Sequence, residues 1–251
     1  DRDIPGIAGT SRLSPHLHFG EISPGQAIWA ALTQATSGNK SHASMERFFS
    51  EIGWREFAYY LMYHFPHSTN ESLDARFEEA GWVDSQQNQE LIQRWQKGQT
   101  GIPIVDAGMR ELWHTGWMHN RVRMIVASIL TKNLGIHWLE GARWFWDTLV
   151  DADLACNTMG WQWTAGCGVD AAPYFRIFSP TRQTERFDPV GTYIKRWIPE
   201  LEKADSKIWM SGVSTPNPSL DYPPPMIDVG VTRKQALMHW DNIKATEKAI
   251  A

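Results

Sequence analysis

The chain has 251 residues, of which 42% are hydrophobic and 21% charged, and its formal net charge is −4. This composition is typical of a globular protein and excludes a strongly basic nucleic-acid arm, although it allows a local basic patch. No apolar run approaches the roughly 20 residues that a membrane span needs, and two cysteines are too few for a disulfide framework, so we expect a reducing compartment.

Tryptophan is unusually frequent, with 14 copies. Aliphatic side chains would fill a core without leaving an indole N–H to satisfy. So many indoles therefore suggest stacking on flat ligands or electron transfer, beside ordinary core packing. The chain begins at Asp1 with neither an initiator Met nor a signal peptide, and we expect it to be a fragment of a longer protein.

Helical patterns follow one another along the chain, and strand alternation is nearly absent. Proline at a first helical position and glycine after a last turn mark several boundaries. We predict one all-α domain over residues 1–251, with an irregular Pro-rich segment at 211–228. The predicted helices begin at Ser23–Pro24, span 44–65 before Pro66, end at Gly98, run from Pro103 to Gly116, and span 118–133, 135–150 and about 231–249.

Two of these helices carry apolar residues at helical spacing, which predicts the faces that they bury. The stripes are Val122, Ile125, Val126, Ile129 and Leu130 in the first, and Phe48, Ile52, Phe57, Tyr60 and Leu61 in the second.

The string "GTSRLSPH" offers hydroxyls beside an arginine just before a short helical segment. Thr10, Ser11 and Ser14 supply the hydroxyls and Arg12 the charge. Such a segment can bind phosphate, but it can equally be a plain N-cap on a surface helix. Since the chain has no Gly-rich dinucleotide or Walker loop, a nucleotide would be bound by another scheme.

The string "EIGWREF" places an acid, an indole and a guanidinium on one helix face. Glu51, Trp54 and Arg55 are spaced i, i+3 and i+4 and could line a cavity for a flat polar ligand. The alternative is a surface ion pair between Glu51 and Arg55.

The string "GWMHNRVRM" presents Asn120, Arg121 and Met124 on the face opposite the buried stripe. Arg123 points elsewhere and could meet a carboxylate. The alternative is a solvated polar face with Met124 as filler.

The string "DADLACNTMGWQW" contains two carboxylates and an amide, at Asp151, Asp153 and Asn157. They could serve acid–base chemistry, but no further ligand stands at a metal-binding spacing, so we expect no metal. An arginine such as Arg123 would keep an Asp ionised. The Asn157 amide both donates and accepts, which suits a cofactor whose protonation changes.

Taken together, these strings resemble the photolyase/cryptochrome flavoprotein family. They occur in family order over residues 9–180 with "WQKGQTGIPIVDAGMREL" and "DAAPYFRIFSP", and more loosely through "FDPVGTYIKRWIPEL". We expect the N-terminal α/β antenna domain of that family to lie outside this chain, which resembles the helical FAD-binding domain, and most closely that of a bacterial cyclobutane pyrimidine dimer photolyase. The antenna chromophore would belong to that antenna domain.

The resemblance implies one non-covalent FAD, active as the reduced anionic hydroquinone. Asn157 would lie beside flavin N5, Arg123 would pair with Asp151, and Phe48 stands where many relatives carry Trp. The implied cofactor-binding set is Thr10, Ser11, Arg12, Leu13, Ser14, Phe48, Arg55, Arg123, Asp151, Ala152, Asp153 and Asn157, with the first five on the phosphates.

The resemblance also implies a tryptophan chain that reduces the flavin under light. Trp161 and Trp138 match its proximal and middle members. A gapless alignment places Ser85 at the distal position, and a three-residue gap brings in Trp82. Trp144, Trp146 and Trp117 are other candidate exits, and the alternative is that all of these indoles serve only the core.

The implied partner is DNA that carries a pyrimidine dimer, and the implied reaction is light-driven splitting of that dimer. Glu51 would hydrogen-bond the dimer and stabilise its developing charge. The implied DNA-binding set is Arg2, Glu51, Trp54, Asn120, Arg121, Met124, Trp163 and Gln183.

The main alternative is a cryptochrome-type blue-light receptor without repair. Asn157 and the full set of lesion contacts favour repair. A (6-4) photoproduct enzyme is disfavoured because Asn120 and Met124 stand in a region where it carries His, and the iron–sulfur branch because the chain has two cysteines. We expect a cytoplasmic monomer, acting at the bacterial nucleoid and not at a membrane.

Overall fold

A computed structural model describes residues 2–36, 42–78, 81–170, 176–212 and 220–250. Within these ranges there is no β-strand, only an isolated parallel bridge between Val83 and Ile136. The all-α prediction is confirmed. The helices are α1 (Ser14–His18), α2 (Pro24–Thr36), α3 (His42–His64), α4 (Gln89–Gln96), α5 (Pro103–Thr115), α6 (Asn120–Ser128), α7 (Trp138–Thr148), α8 (Leu154–Ala165), α9 (Pro180–Phe187), α10 (Thr192–Trp197), α11 (Ser206–Ser211) and α12 (Val229–Ile250).

Local sequence signals fix several of these boundaries. The Ser23 hydroxyl accepts from the Gln26 N–H, and the Gln26 side chain accepts from the Ser23 N–H, a reciprocal cap at the start of α2. Helix α5 begins at Pro103 and ends before Gly116, whose φ of +67° favours glycine. The final helix begins two residues before its predicted start. In the predicted Pro-rich segment, residues 213–219 lie outside the described residues, as do residues 171–175 of "DAAPYFRIFSP".

The buried centre contains α5, α6 and α8, and α6 packs against both of the other two. The predicted α6 stripe from Val122 to Leu130 is buried as expected. Its last two residues belong to a turn of π-helix, Ile129–Asn133, that continues from α6. Among the described helices, none combines the length and apolarity needed to cross a bilayer.

The predicted apolar face of α3 is partly wrong. Ile52 and Leu61 are buried, but Tyr60 is 57% exposed. The reason is that α3 packs against α8, with Ala58 and Leu61 beside residues of α8, and this contact turns Tyr60 outward. The inner side of α3 therefore carries both apolar residues and the polar residues Arg55 and Tyr59, which contact other parts of the fold.

Helices α7 and α8 approach each other very closely at Gly141. A Cβ atom on Gly141 would lie 2.0 Å from the six-membered ring of Trp161. Trp161 is buried, and no described residue forms a hydrogen bond with its Nε1 atom. The backbone of α7 therefore packs directly on the face of this indole.

A fully buried carboxylate, Asp106, stabilises the first turn of α5. It accepts hydrogen bonds from the Thr100 N–H and hydroxyl at 2.8 and 2.6 Å, and from the Gly101 N–H at 2.9 Å. The Tyr222 hydroxyl donates a further bond at 2.6 Å. Asp106 thereby ties the segment before α12 to the core.

Candidate functional site

Two buried carboxylates lie in the short turn between α7 and α8. Asp153 is the N-cap of α8, and its Oδ1 accepts from the Cys156 N–H at 2.9 Å. Asp151 lies two residues earlier, and both residues are less than a tenth exposed. Burial of two carboxylates so close together requires donors from elsewhere in the fold.

Asp151 is satisfied by two distant segments. Arg123 on α6 donates to both of its carboxylate oxygens, at 3.1 and 2.9 Å, so the predicted pair is present. The Ser14 hydroxyl donates to Oδ2 at 2.6 Å. Ser14, which we expected on a phosphate, thus contacts a carboxylate.

Asp153 is satisfied from α1 and α3. The Tyr59 hydroxyl donates to its Oδ2 atom, and the His18 Nδ1 atom lies 3.5 Å from the same oxygen. Burial alone would raise the pKa of Asp153, but the bonds from Tyr59 and Cys156 outweigh it and hold the pKa below its usual value. Burial and the bond to Asp153 raise the pKa of Tyr59 to about 12. Asp153 is therefore held as an anion and Tyr59 as a neutral donor.

Tyr59 was missed by the sequence analysis. It follows Arg55 by four residues and Glu51 by eight, so the three lie on one side of α3. That spacing could have identified it. The Arg55 guanidinium lies over the Tyr59 ring, 4.6 Å from its centroid, and donates to the Glu56 carboxylate and the Leu17 carbonyl oxygen. The ion pair between Glu51 and Arg55, which was the alternative, is not formed, since Glu51 binds Arg2 instead.

The segment 10–14 is an open loop of hydroxyls that leads into α1. Arg12 has a φ of +53°, a left-handed backbone conformation that is uncommon for a side-chain-bearing residue. Its guanidinium stacks on Trp117, 4.5 Å from the ring centroid. Thr10 and Ser11 are exposed. The loop therefore offers hydroxyls and a positioned cation to an anion.

The face of α8 that follows Asp153 is open. Asn157 donates through Nδ2 to the Ala142 carbonyl oxygen at 2.9 Å, and no described residue donates to its Oδ1 atom. One turn later, a Cβ on Gly160 would meet no atom within 4 Å. A flat ring with polar edges fits this face, since Asp153, a free amide oxygen and a side-chain-free position lie along it. These residues fit the isoalloxazine and ribityl groups of FAD.

The residues expected at DNA lie on neighbouring elements. Arg2 donates to Glu51 at 2.5 Å, and Arg121 pairs with Asp3 at 2.6 Å. The Arg121 guanidinium also lies over Phe187, 4.3 Å from the ring centroid. The remaining expected residues are Trp54 and Asn120, both exposed, and Met124, Trp163 and Gln183, all half-buried.

The tryptophans expected in electron transfer fall into two groups. Trp161 lies 6.2 Å from Trp95 and 5.0 Å from Phe145, measured between ring centroids. Trp138 and Trp82 are both neighbours of the His137 ring, at 5.7 and 5.0 Å. Among the described residues, no ring contact joins Trp138 to Trp161. Any electron transfer between the two groups would therefore cross a gap without ring contact.

The expected cofactor residues Leu13, Phe48 and Ala152 are half-buried, and Phe48 lies 6.2 Å from Phe49 between ring centroids. A residue that no motif singled out, His119, caps α6 and contacts the Arg2 backbone. Its signal was its place directly before Asn120, at the helix start.

Comparisons with known proteins show which family this chain is similar to. A family model described as the FAD binding domain of DNA photolyase matches residues 48–242. The deoxyribodipyrimidine photo-lyase of Agrobacterium fabrum is 46% identical over 254 residues, covering 98% of this chain and 52% of that protein. The chain thus spans about half the length of the curated relatives that it matches.

The chain is also similar to solved structures, among them two photolyases. A bacterial class III photolyase from Agrobacterium tumefaciens is 45% identical with a TM-score of 0.88, over 97% of this chain and 52% of that one. An archaeal photolyase from Sulfolobus tokodaii, solved with two FAD molecules, is 37% identical with a TM-score of 0.84, over 96% of this chain and 52% of that one. By its family match and these identities, the chain belongs to the DNA photolyase family, in which it corresponds to the FAD-binding domain.

Proposed function

We propose that this chain binds FAD against the open face of α8 and, as part of a deoxyribodipyrimidine photo-lyase, supports light-driven splitting of pyrimidine dimers in DNA. The observation that carries this assignment is the wall formed by Asp151, Asp153 and Asn157, whose free amide oxygen and the open position at Gly160 face away from the core.

Different residues around the wall contact different parts of the FAD. Asp153, held ionised by Tyr59, accepts hydrogen bonds from the ring edge or the ribityl hydroxyls. Asp151 orients Arg123 and Ser14 at the side of the wall. The Thr10 and Ser11 hydroxyls and the Arg12 guanidinium bind the phosphates, with Phe48, Leu13, Ala152 and Arg55 completing the contact.

When bound, reduced FAD supplies the light-driven electron that opens the cyclobutane ring of the dimer and is recovered afterwards. The protein's part is to hold the dimer and exclude water from it. Glu51 accepts a hydrogen bond from the dimer and so orients it in the pocket. Trp54 and Trp163 pack against the extrahelical bases, which cost less to extrude than an intact pair because the dimer stacks poorly.

The remaining contacts hold the DNA around the dimer. Asn120, Arg121 and Met124 extend the lesion pocket along α6, while Arg2 and Gln183 contact the flanking strand. Arg2 and Arg121 supply guanidinium groups for phosphate contacts, and each is paired with a carboxylate, Glu51 and Asp3, before DNA binds. We also propose that the chain acts as a cytoplasmic monomer, which size-exclusion chromatography of the purified chain tests.

Illumination of the flavin-loaded chain with a thymine-dimer oligonucleotide tests the reaction. We expect thymine absorbance to return under blue light and not in the dark. Flavin binding and photoreduction without any return of absorbance would contradict repair and favour the blue-light receptor.

Glu51→Ala sharpens this test. We expect dimer splitting to slow by roughly tenfold because one hydrogen bond that orients the dimer is lost, while the flavin spectrum stays unchanged. The matched control is Glu90→Ala on α4, an exposed acid away from the wall. An unchanged repair yield in Glu51→Ala would remove Glu51 from the site.

Trp161→Phe tests the route of electrons into the flavin. We expect photoreduction of oxidised flavin to be lost, because phenylalanine is harder to oxidise than indole. Trp209→Phe, a change at another buried tryptophan, on α11, should leave it intact. Photoreduction that persists in Trp161→Phe would point to another route.

A further inference from the structure

The segment before loop 10–14 is fastened to α6 by polar contacts. Arg121 pairs with Asp3 at 2.6 Å, and the His119 Nε2 atom lies 2.9 Å from the Arg2 carbonyl oxygen. The Arg196 guanidinium donates to the Gly6 carbonyl oxygen at 3.1 Å. The backbone of Arg2 is therefore held by a histidine, while its side chain reaches Glu51.

The two nitrogens of His119 have opposite roles. Nδ1 accepts from the Arg121 N–H at 3.1 Å and so caps the N-terminus of α6. Because Nδ1 must carry a lone pair for this bond, the proton resides on Nε2, which donates to the Arg2 carbonyl oxygen. The cap at Nδ1 requires the neutral ring, whereas the Nε2–H can donate to the Arg2 carbonyl oxygen from the neutral or the protonated ring.

The surroundings of the ring disfavour a positive charge. Arg121 and Arg123 lie near it on α6, and the ring stands at the positive end of that helix. Asp3 is the nearby carboxylate, and it is already paired with Arg121. Burial is the largest cause and lowers the pKa of His119 below its ordinary value of 6.5, although the bond to the Arg2 carbonyl oxygen and the charge of Asp3 act in the opposite direction.

The other titratable groups near His119 have their own partners. Glu111 on α5 accepts from the His119 N–H at 3.4 Å and from the Tyr193 hydroxyl of α10 at 2.5 Å, and burial raises its pKa. The Arg2 guanidinium is bound to Glu51. Trp117 presents a ring edge at 6.2 Å between centroids.

We propose that His119 is a positioning residue for DNA-lesion binding, whose neutral ring couples the cap of α6 to the backbone of Arg2. One ring then sets the places of Arg2 beside Glu51 and of Asn120 and Arg121 at the start of α6. This role rests on the dimer binding proposed above. It predicts that lesion affinity falls at low pH, a fall that we call the acid limb of the binding profile.

The sign of that limb follows from the contacts. A proton on Nδ1 would face the Arg121 N–H, so the cap is lost and α6 loosens from Arg2. Because the folded pKa of His119 lies below 6.5, the coupling is complete above pH 6.5 and is lost as the pH falls through the folded value.

Substitutions can separate the cap from the coupling. In His119→Asn, the amide oxygen can still accept from the Arg121 N–H, since Asn is a strong N-cap, but the side chain is too short to reach the Arg2 carbonyl. In His119→Gln, the amide N–H can reach that carbonyl but cannot titrate. The matched control is His137→Asn, because His137 caps α7 in the same way, with Nδ1 accepting from the Leu139 N–H at 3.2 Å.

The measurement is the affinity of the flavin-loaded chain, in the dark, for a duplex with one thymine dimer between pH 5 and 8. We expect wild-type affinity to fall in acid. At pH 8, His119→Asn should bind the dimer-containing duplex roughly threefold to tenfold more weakly than wild type. On lowering the pH, its affinity should fall no further than that of His119→Gln, which has no imidazole to titrate. His137→Asn should keep the wild-type profile.

Two results would overturn the assignment. An acid limb that persists in both His119 variants would belong to another group, such as Glu111. If His137→Asn removed the pH dependence of lesion affinity equally, the effect would reflect general helix stability and not the contact with Arg2.

Nitrogen-15 NMR of the imidazole and amide hydrogen exchange at residues 2–6, both without DNA, give a separate reading. We expect the Nε2–H tautomer at pH 8, and faster exchange in His119→Asn than in His137→Asn. Absence of dimer-dependent binding at every pH would refute the proposed function, whereas an Nδ1–H tautomer would refute the role of His119 alone.

Discussion

Asp106 and Asp153 are both buried carboxylates near a helix start, yet their pKa values move in opposite directions. Burial outweighs every hydrogen bond at Asp106, so its pKa is raised. At Asp153, the bonds from Tyr59 and Cys156 outweigh burial, so its pKa is lowered. One acid is enclosed by the core, and the other lies at the edge of an open face.

The partners explain the difference. Those of Asp106 come from the preceding loop and from Tyr222, and they use the carboxylate entirely within the fold. Asp153 is held from α1 and α3, next to the open face at Gly160. Burial of an acid alone therefore does not distinguish a structural role from a binding role. What distinguishes the two roles is whether the acid adjoins an open surface, as Asp153 does, or is enclosed by the core, as Asp106 is.

Asp106→Ala should give the largest loss of stability. It leaves two buried N–H groups and two hydroxyls without an acceptor, so we expect the free energy of unfolding to fall by about 3 kcal/mol in urea titration. Tyr222→Phe removes one donor and should cost about 1 kcal/mol. A loss below 1 kcal/mol in Asp106→Ala would show that this acid does not stabilise the core.

Asp153→Asn should separate binding from stability. The amide still caps α8, so we expect the free energy of unfolding to change by less than about 1 kcal/mol. The negative charge at the wall is lost, so flavin affinity should fall roughly tenfold. Flavin fluorescence on dilution reports that affinity, and an equal loss of stability and flavin would erase the contrast with Asp106.

Tyr59→Phe should give the smallest effect. Without the Tyr59 hydroxyl, the pKa of Asp153 rises, and flavin affinity at neutral pH should weaken by about threefold. The carboxylate's contribution is present above its ordinary pKa of 3.8 and is lost as the pH falls through the lower folded value. Release of flavin on acidification should therefore begin at a higher pH in the variant, and coincident release curves would exclude Tyr59 as the partner that matters.

The fold was predictable where local signals agreed. Pro103 and Gly116 bound α5 as expected, and the α6 stripe is buried because its apolar spacing has no polar competitor. In α3, by contrast, Glu51, Arg55 and Tyr59 share the side that faces other helices, so apolar periodicity misplaced Tyr60. Hydropathy alone cannot locate an inner face that mixes apolar and polar residues.

The site was predictable where a motif or the family resemblance indicated a partner, as for Arg123 with Asp151. Two hydrogen bonds, from Tyr59 to Asp153 and from His119 to Arg2, join residues that are far apart in the sequence. Residue spacing along one helix cannot predict such bonds. Arg2 and Glu51 were each expected at DNA, but their mutual ion pair depends on the path of the N-terminal segment. Such contacts depend on helix packing.

Gly141 has a consequence for how this chain can vary. The Trp161 ring occupies the space that a Cβ atom at this position would need. A saturation library at this position should retain glycine alone, and the indole cannot tilt without displacing a whole helix. The orientation of the Trp161 ring is thus set by the backbone of α7 and not by the side chains around it.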